Sequence, residues 1–430
     1  MSLFRSIFRS KAKENGPEAM AEHPIDTQQT NSPQPIEAIL REKTSPEEFL
    51  DHWIRQAIDI GTSDIHFEKF RTQLRVRYRI DGKLRTIAKL PENLHGGLLV
   101  RIKILAKLKI DEKRLPQDGR FSIEHNSDQF DIRVSILPGY FGECVVLRLL
   151  QSDCSRFSLK NLGVRKIDIE KLERLVGIQN GIIIVAGPTG SGKSTTLYSI
   201  IQKISSPERK VITVEDPVEY QLPGVNQVSV NEAIGLSFAA VLRSMLRQAP
   251  NIILVGEIRD KETAEIAIRA ALTGHLVLST VHAKDSISSI TRLRDLGVPS
   301  YLIAATLRGV LSQRLVRKPC TNCLNPTEPD RKLIEGIIPG HRIPNKVTVY
   351  EPSGCEHCLG TGHRGRLALF ELLPISDAME KLIHHRMDED QLRALARDEA
   401  VKFLKNVALD HYFDGRIGRE SLLALITELS

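Results

Sequence analysis

The sequence predicts an α/β protein: a doubly wound domain on a mostly parallel sheet, a smaller α+β domain before it, and a cysteine-bearing segment after it. Three observations carry this. "GIIIVAG", "KVITVE", "NIILVGE" and "HLVLSTVHA" are short, nearly continuous apolar runs, as expected of strands buried on both faces, and helical patterns such as "LSFAAVLRSMLRQA" and "KETAEIAIRAALTG" lie between them. Upstream, Leu74, Val76, Tyr78 and Ile80 alternate with Arg75, Arg77 and Arg79, the period of a half-buried strand. Downstream, Cys320, Cys323, Cys355 and Cys358 form two CxxC pairs.

A chain of 430 residues with 41% hydrophobic and 26% charged residues has ordinary globular composition and room for two or three domains. Its net charge of +7 permits contact with nucleic acid or an anionic membrane without requiring either. No apolar run reaches the ~18 residues of a spanning helix. The start, "MSLFRSIFRSKAK", lacks the apolar core and cleavage site of a secretory signal. Six cysteines in a chain of this size do not make a disulfide scaffold. Cytoplasm is the default compartment.

Residues 1–45 read as a polar, disordered arm rich in Pro, Gln, Asn and Glu. Within it Leu3 with Ile7, and Phe4 with Phe8, fall at i,i+4 spacing, while Arg5 and Arg9 share another stripe. That pattern suits a short interfacial or partner-binding helix, or an end that does nothing. Residues 46–150 form the α+β domain: a helix from Pro46 stopped by Gly61, the arginine strand, a hairpin turn at Asp81-Gly82, then further helix and strands. Residues 151–161 read as a linker, 162–315 as the doubly wound domain, 316–375 as the metal-binding subdomain and 376–430 as a helical region.

The run Gly187-Pro188-Thr189-Gly190-Ser191-Gly192-Lys193-Ser194, followed by Thr195, fits GxxxxGK[ST] between a predicted strand and a predicted helix. Glycines let backbone N–H groups converge on phosphate oxygens, and the helix N-terminus adds partial positive charge. In this pattern Lys193 reaches the β/γ-phosphates and Ser194 ligates Mg²⁺, so ATP with Mg²⁺ is the expected ligand. Hydrolysis needs a carboxylate at a neighbouring strand end. Glu257 supplies one, although Gly256 stands where an acidic residue usually steadies the magnesium. Glu215 and Glu219, around the end of "KVITVE", are further candidates, with helix capping as the bland alternative. His275 and His282 bracket one strand and could donate to a γ-phosphate oxygen.

In the two CxxC pairs each pair lets two thiolates converge on one ion, and together they complete a tetrahedron, which points to structural Zn²⁺. His357 and His363 are nearby alternative ligands, and four unligated thiols are the bland reading. Cys144 and Cys154 have no evident partner.

Taken together, GPTGSGKST, VEDPVEY, GEIRD and TGHLVLSTVHA resemble the phosphate loop, acidic box, Walker B and histidine box of the secretion ATPase superfamily, particularly type II secretion and type IV pilus assembly ATPases. "SDIHFE", "RVRYRIDG", "LPQDGRF" and "DIRVSILP" resemble that family's second N-terminal domain. The resemblance implies a RecA-like P-loop NTPase domain and a homo-hexameric cytoplasmic ATPase, peripherally associated with the inner membrane through a platform protein. It implies that Arg133 and Arg148 reach the phosphates, and it places Glu257, Lys193, Glu215 and His282 in the catalytic set. The cysteine subdomain favours assembly or secretion over pilus retraction. Nucleic acid is not expected as a partner, a DNA motor or a nucleotide-gated adaptor being the competing readings. The sequence departs from the family at Ala249-Pro250-Asn251, at Cys144, and in having only the polar arm where most members carry another folded domain.

Overall fold

A computed structural model of the chain describes residues 45–151, 158–339, 343, 347–386 and 388–429. The arm, most of the expected linker and Cys154 lie outside the described residues.

The first helix, Pro46–Ile60, begins where sequence chemistry says it should. Ser45 accepts from the Glu48 backbone N–H and the Glu48 side chain reaches back, while Gly61 closes the other end. This capping box satisfies N–H groups that a helix start otherwise leaves open. Trp53 on its inner face is 1% exposed, and its carbonyl accepts from the Tyr78 hydroxyl at 2.8 Å.

Six antiparallel strands follow: β1 Thr62–Lys69, β2 Gln73–Ile80, β3 Lys83–Pro91, β4 Gln117–His125, β5 Asp128–Leu137 and β6 Cys144–Gln151, in the spatial order β3-β2-β1-β6-β5-β4. Leu74, Val76 and Tyr78 of β2 point into the core, as the alternation predicts. The three intervening arginines lie against the acidic residues of β1: Arg75 and Arg77 pair with Glu68, and Arg79 with Asp64. Cross-strand charge pairing thus accounts for this stripe.

The second sheet comprises β7 Gly181–Ala186, β8 Val211–Glu215, β9 Asn226–Ser229, β10 Ile252–Val255, β11 Leu276–Val281 and β12 Leu307–Pro319, together with β15 His363–Pro374. Between β12 and β15 a small ribbon pairs β13 Leu324–Thr327 with β14 Val349–Pro352. The order is β15-β12-β7-β11-β10-β8-β9, parallel throughout except that β15 runs antiparallel to β12. Every residue of β7 is buried, and alternate ones face opposite cores: Ile182 and Ile184 one way, Ile183 and Val185 the other. Helices Lys166–Val176 and Lys193–Ile204 cover one face; Phe238–Met245, Lys261–Leu272 and Ser286–Asp295 cover the other.

β12 runs straight through the expected 315/316 boundary, and β15 pairs along it from Pro319 to Gly309. The cysteine region is therefore an excursion between two strands of the main sheet. The C-terminal helices divide as well. Met379, Ile383 and Leu392 join the core of the main sheet, whereas helices Leu404–Phe413 and Arg419–Leu429 share a core with Val316, Val349 and Leu369.

Candidate nucleotide and metal sites

Parallel strands bring the functional loops to one edge, because all of them leave the C-terminal ends of neighbours. The glycine loop follows β7, His282 follows β11 and Glu257 follows β10. β11 lies between the other two, so His282 stands between the phosphate loop and Glu257.

The loop turns through glycines at φ values of 153° (Gly187), 79° (Gly190) and 87° (Gly192), a region side chains disfavour, and the helix then starts at Lys193. Lys193 Nζ donates to the Gly187 and Pro188 carbonyls at 2.9 and 3.0 Å. Burial lowers its pKa from the usual lysine value, while nearby Glu257 acts to raise it and Arg314 to lower it further. An ammonium kept so lightly solvated is poised to exchange loop carbonyls for an anion.

Glu257 accepts from Arg259 Nε at 2.8 Å through one oxygen, and its other oxygen lies 2.8 Å from His282 Nε2. The His282 pKa is pushed below the ordinary imidazole value, first by burial and then by the charge of Lys193, with Glu257 opposing. The neutral ring must then carry its proton on Nε2, since a carboxylate only accepts. Arg259 also faces Asp216 at 3.7 Å.

His275 differs from its sequence reading. Leu276 pairs with Gly181 and Val281 with Ala186, so His275 lies at the opposite end of β11 from the loop, about 20 Å away at the strand rise. There its Nδ1 meets the Ala270 carbonyl at 3.0 Å.

The Glu215 carboxylate, 4% exposed, is taken up by the Tyr198 hydroxyl, by Thr213 at 2.5 Å and by Gln227 at 3.3 Å. Arg133 donates to the Val218 carbonyl at 2.8 Å and lies 3.5 Å from Glu219, joining the first sheet to the acidic box. Arg148 is instead turned to Asp64, at 2.9 Å. Both line a cleft of about 980 Å³ with Arg120, Tyr220 and Gln221. At the position before Glu257, a Cβ on Gly256 would come within 3.1 Å of the Val214 carbonyl, so the missing acidic side chain has little room. Asn251, the departure beside Pro250, accepts from the Lys210 backbone N–H at 2.7 Å.

Two residues on β12 went unnoticed in the sequence. Gln313, 1% exposed, bonds the Ser191 carbonyl and the Thr196 hydroxyl. Arg314, 3% exposed, donates to the Lys284 carbonyl at 2.6 Å and pairs with Glu428 at 2.7 Å. Neither belongs to a recognisable motif; only the polarity of "SQR" inside an apolar strand signals them.

The four cysteines of the paired motifs converge. Their sulfurs all lie within 4.8 Å of one another, with Cys320–Cys355 at 3.9 Å, Cys323–Cys358 at 4.0 Å and Cys355–Cys358 at 3.7 Å. Four sulfurs at ~2.3 Å from a tetrahedral Zn²⁺ would stand about 3.8 Å apart, so the donor set fits that ion. Cys358 Sγ also accepts from the backbone N–H groups of Cys355 and Gly362, both at 3.2 Å. The alternative histidines are engaged elsewhere: His357 meets Arg364, and His363 Nδ1 meets the Thr361 carbonyl.

A phosphate loop on a doubly wound sheet, with a carboxylate and a neutral imidazole beside it, defines a P-loop nucleotide hydrolase. Residues 40–423 match the family model described as type II/IV secretion system protein. The chain is 45% identical over 355 residues to the putative type II secretion system protein E of Escherichia coli (strain K12), covering 82% of this chain and 71% of that one. It is 42% identical to the type II secretion system ATPase E of Vibrio cholerae, covering 87% and 74%, and 40% identical to the type IV pilus assembly ATPase PilB of Thermus thermophilus, covering 92% and 44%. Among solved structures, the pilus retraction motor PilT with bound ADP superposes with a TM-score of 0.61 at 28% identity, covering 89% of this chain and 97% of that one. The Legionella pneumophila ATPase DotB does so with a TM-score of 0.66 at 22% identity, covering 90% and 98%, a likeness of fold. The chain belongs to the type II/IV secretion system protein family and is a secretion or pilus ATPase.

Proposed function

We propose that the chain is a hexameric cytoplasmic motor that spends ATP on moving an inner-membrane platform protein, driving type II secretion or type IV pilus assembly. The observation that carries this reading is the grouping of Lys193, Glu257 and His282 on the segments that leave the C-terminal ends of three adjacent parallel strands, in a chain related to ATPases of both systems. Among the described residues no helix is long and apolar enough to cross a membrane.

In this reading the backbone N–H groups of residues 189–195 cradle the phosphates, and Lys193 leaves the Gly187 and Pro188 carbonyls for the β/γ-phosphates. The Ser194 hydroxyl is the hard oxygen donor that would hold Mg²⁺, which supplies charge neutralisation when bound. Glu257 orients and deprotonates the attacking water, and His282 fixes the Glu257 carboxylate through its Nε2 proton. Glu215, already holding three donors, positions the acidic box through Tyr198, whose hydroxyl also accepts from the Glu219 backbone N–H. Arg133 and Arg148 supply positive charge from the first sheet. Cys320, Cys323, Cys355 and Cys358 would hold a structural Zn²⁺ that anchors the excursion between β12 and β15.

Phosphate release measured on the purified full chain, with and without Mg²⁺, tests the reading. Magnesium-dependent release that Glu257→Gln abolishes supports it; release unaffected by that change overturns the catalytic assignment.

A further inference from the structure

A phosphate loop works only if its N–H groups point inward, and its carbonyls must then point outward, where they need donors. The Ser191 carbonyl finds one inside the protein. Gln313 Nε2 donates to it at 2.6 Å, while Gln313 Oε1 accepts from the Thr196 hydroxyl at 2.7 Å. The Ser191 carbonyl can only accept, so the amide nitrogen must face it and the amide oxygen must face Thr196. One buried amide therefore ties the crest of the loop to the first turn of the helix behind it.

The same residue is the floor on which the loop rests. A Cβ on Gly187 would lie 2.6 Å from the Gln313 carbonyl, and one on Gly192 would lie 2.9 Å from Gln313 Nε2. A side chain at Gly187 would run into the β12 backbone, and one at Gly192 would push against the Gln313 amide. The β7–β12 pairing registers Ser312 against Ala186, which sets Gln313 directly beneath the loop.

We propose that Gln313 is the positioning residue of the phosphate loop, holding it in its anion-binding shape before nucleotide arrives, with Thr196 fixing the orientation of the Gln313 amide. This rests on the nucleotide-site reading above. Preformed geometry lowers the cost of binding. Losing the clamp should therefore weaken affinity for any nucleotide diphosphate while leaving the chemical step largely intact. A residue that only filled the core would change stability and leave the affinity of the folded protein unaltered.

The test is ADP titration by calorimetry on the full chain, beside ATP turnover and thermal melts, for wild type, Gln313→Ala, Gln313→Glu and Thr196→Val. Gln313→Ala is expected to weaken ADP about 10-fold and to raise KM by a similar factor, with kcat changed less than about 3-fold, the scale of one buried hydrogen bond. Gln313→Glu keeps the acceptor for Thr196 but sets a carboxylate against the Ser191 carbonyl, and should be weaker still. Thr196→Val, nearly isosteric, should weaken ADP about 3-fold, and it keeps the test decisive where Gln313→Ala fails to fold. Wild-type ADP affinity in folded Gln313→Glu and Thr196→Val overturns the clamp alone. Failure of the wild type to bind ADP overturns the nucleotide site, and the clamp with it.

Discussion

His282 Nε2 lies 2.8 Å from Glu257 Oε1, and the Arg259 guanidinium holds the other carboxylate oxygen at 2.8 Å. The carboxylate is thus oriented from both sides while Lys193 stands near enough to shift the His282 equilibrium. Glu257→Gln keeps the size and can still meet Arg259, but cannot accept a proton from water. Turnover should fall by ~10²–10⁴-fold, the usual worth of a general base, with ATP binding preserved. Rapid-quench kinetics beside ATP titration measures both. His282→Ala should cost less, since it removes only the orienting donor.

Lys193→Ala should lower turnover steeply and weaken ATP binding without unfolding the chain. Its ammonium bonds only loop carbonyls here, so its loss leaves acceptors that water can serve. Loss of one preorganised charge at the phosphates is worth ~10²–10³ in rate. Circular dichroism and a phosphate-release assay on the variant check the two halves of the claim.

Elemental analysis should find one zinc per chain. Structural zinc contributes ~10–16 kcal/mol of apparent binding energy in isolated finger peptides. Cys355→Ser should therefore lower the melting temperature and release metal, and a strong chelator should reproduce the effect. Because Cys320 directly follows β12, the loss should be felt by the main sheet and not only by the excursion. Metal-free protein with an unchanged melt would exclude the site.

Stability should fall as pH drops below the ordinary histidine range. The His411 pKa is lowered to about 4 by burial and then by the Arg416 charge. The unfolded chain takes up this proton near 6.5, the folded chain only near 4, so between those values the unfolded state binds more protons. The contribution is fully present above pH 6.5 and is lost as pH falls toward 4. Asp410, Asp414 and Arg165 also face the ring, the acidic pair opposing the shift and the two arginines reinforcing it. Melting curves from pH 7 to 5 should show a shallower acid loss for His411→Gln than for wild type; equal slopes would exclude His411 as a contributor.

The parts that were legible in the sequence are those with a strong local pattern. Buried strands betray themselves by unbroken apolar runs, and Gly187 to Ser194 can hardly do anything but turn and bind an anion. The four cysteines announced their convergence by spacing alone. What escaped depends on which strands become neighbours. Gln313 acquires meaning only once β12 lies beside β7, Arg314 only once Lys284 and Glu428 pack against it, and β15 joins the same sheet across an intervening excursion that its sequence does not reveal. His275 precedes β11 and His282 follows it, so the parallel pairing with β7 brings only His282 to the edge that carries the phosphate loop.

The final prediction concerns the arginines. Arg148 sits on Asp64, and Arg133 bridges to the Val218 carbonyl near Glu219. Both contacts are ones that phosphate oxygens could replace, since a guanidinium prefers a denser anion in a drier site. Asp64 is nearly buried and also holds Arg79, so it stays in place when Arg148 leaves. Closing the cleft they line, within one chain or between neighbours in a ring, would bring these guanidiniums toward a nucleotide on the phosphate loop. A positioned arginine is worth ~10³–10⁵ in phosphoryl transfer. Arg133→Ala and Arg148→Ala should therefore lower kcat far more than they weaken ATP binding, because the charge they meet develops in the transition state. Asp64→Asn should loosen the Arg148 contact and alter turnover without touching the phosphate loop. If the ring is the working unit, specific activity should rise with protein concentration and elute with the hexamer on size exclusion. Full activity in the double arginine variant, or equal specific activity in clean monomer and hexamer fractions, would refute the moving-arginine mechanism.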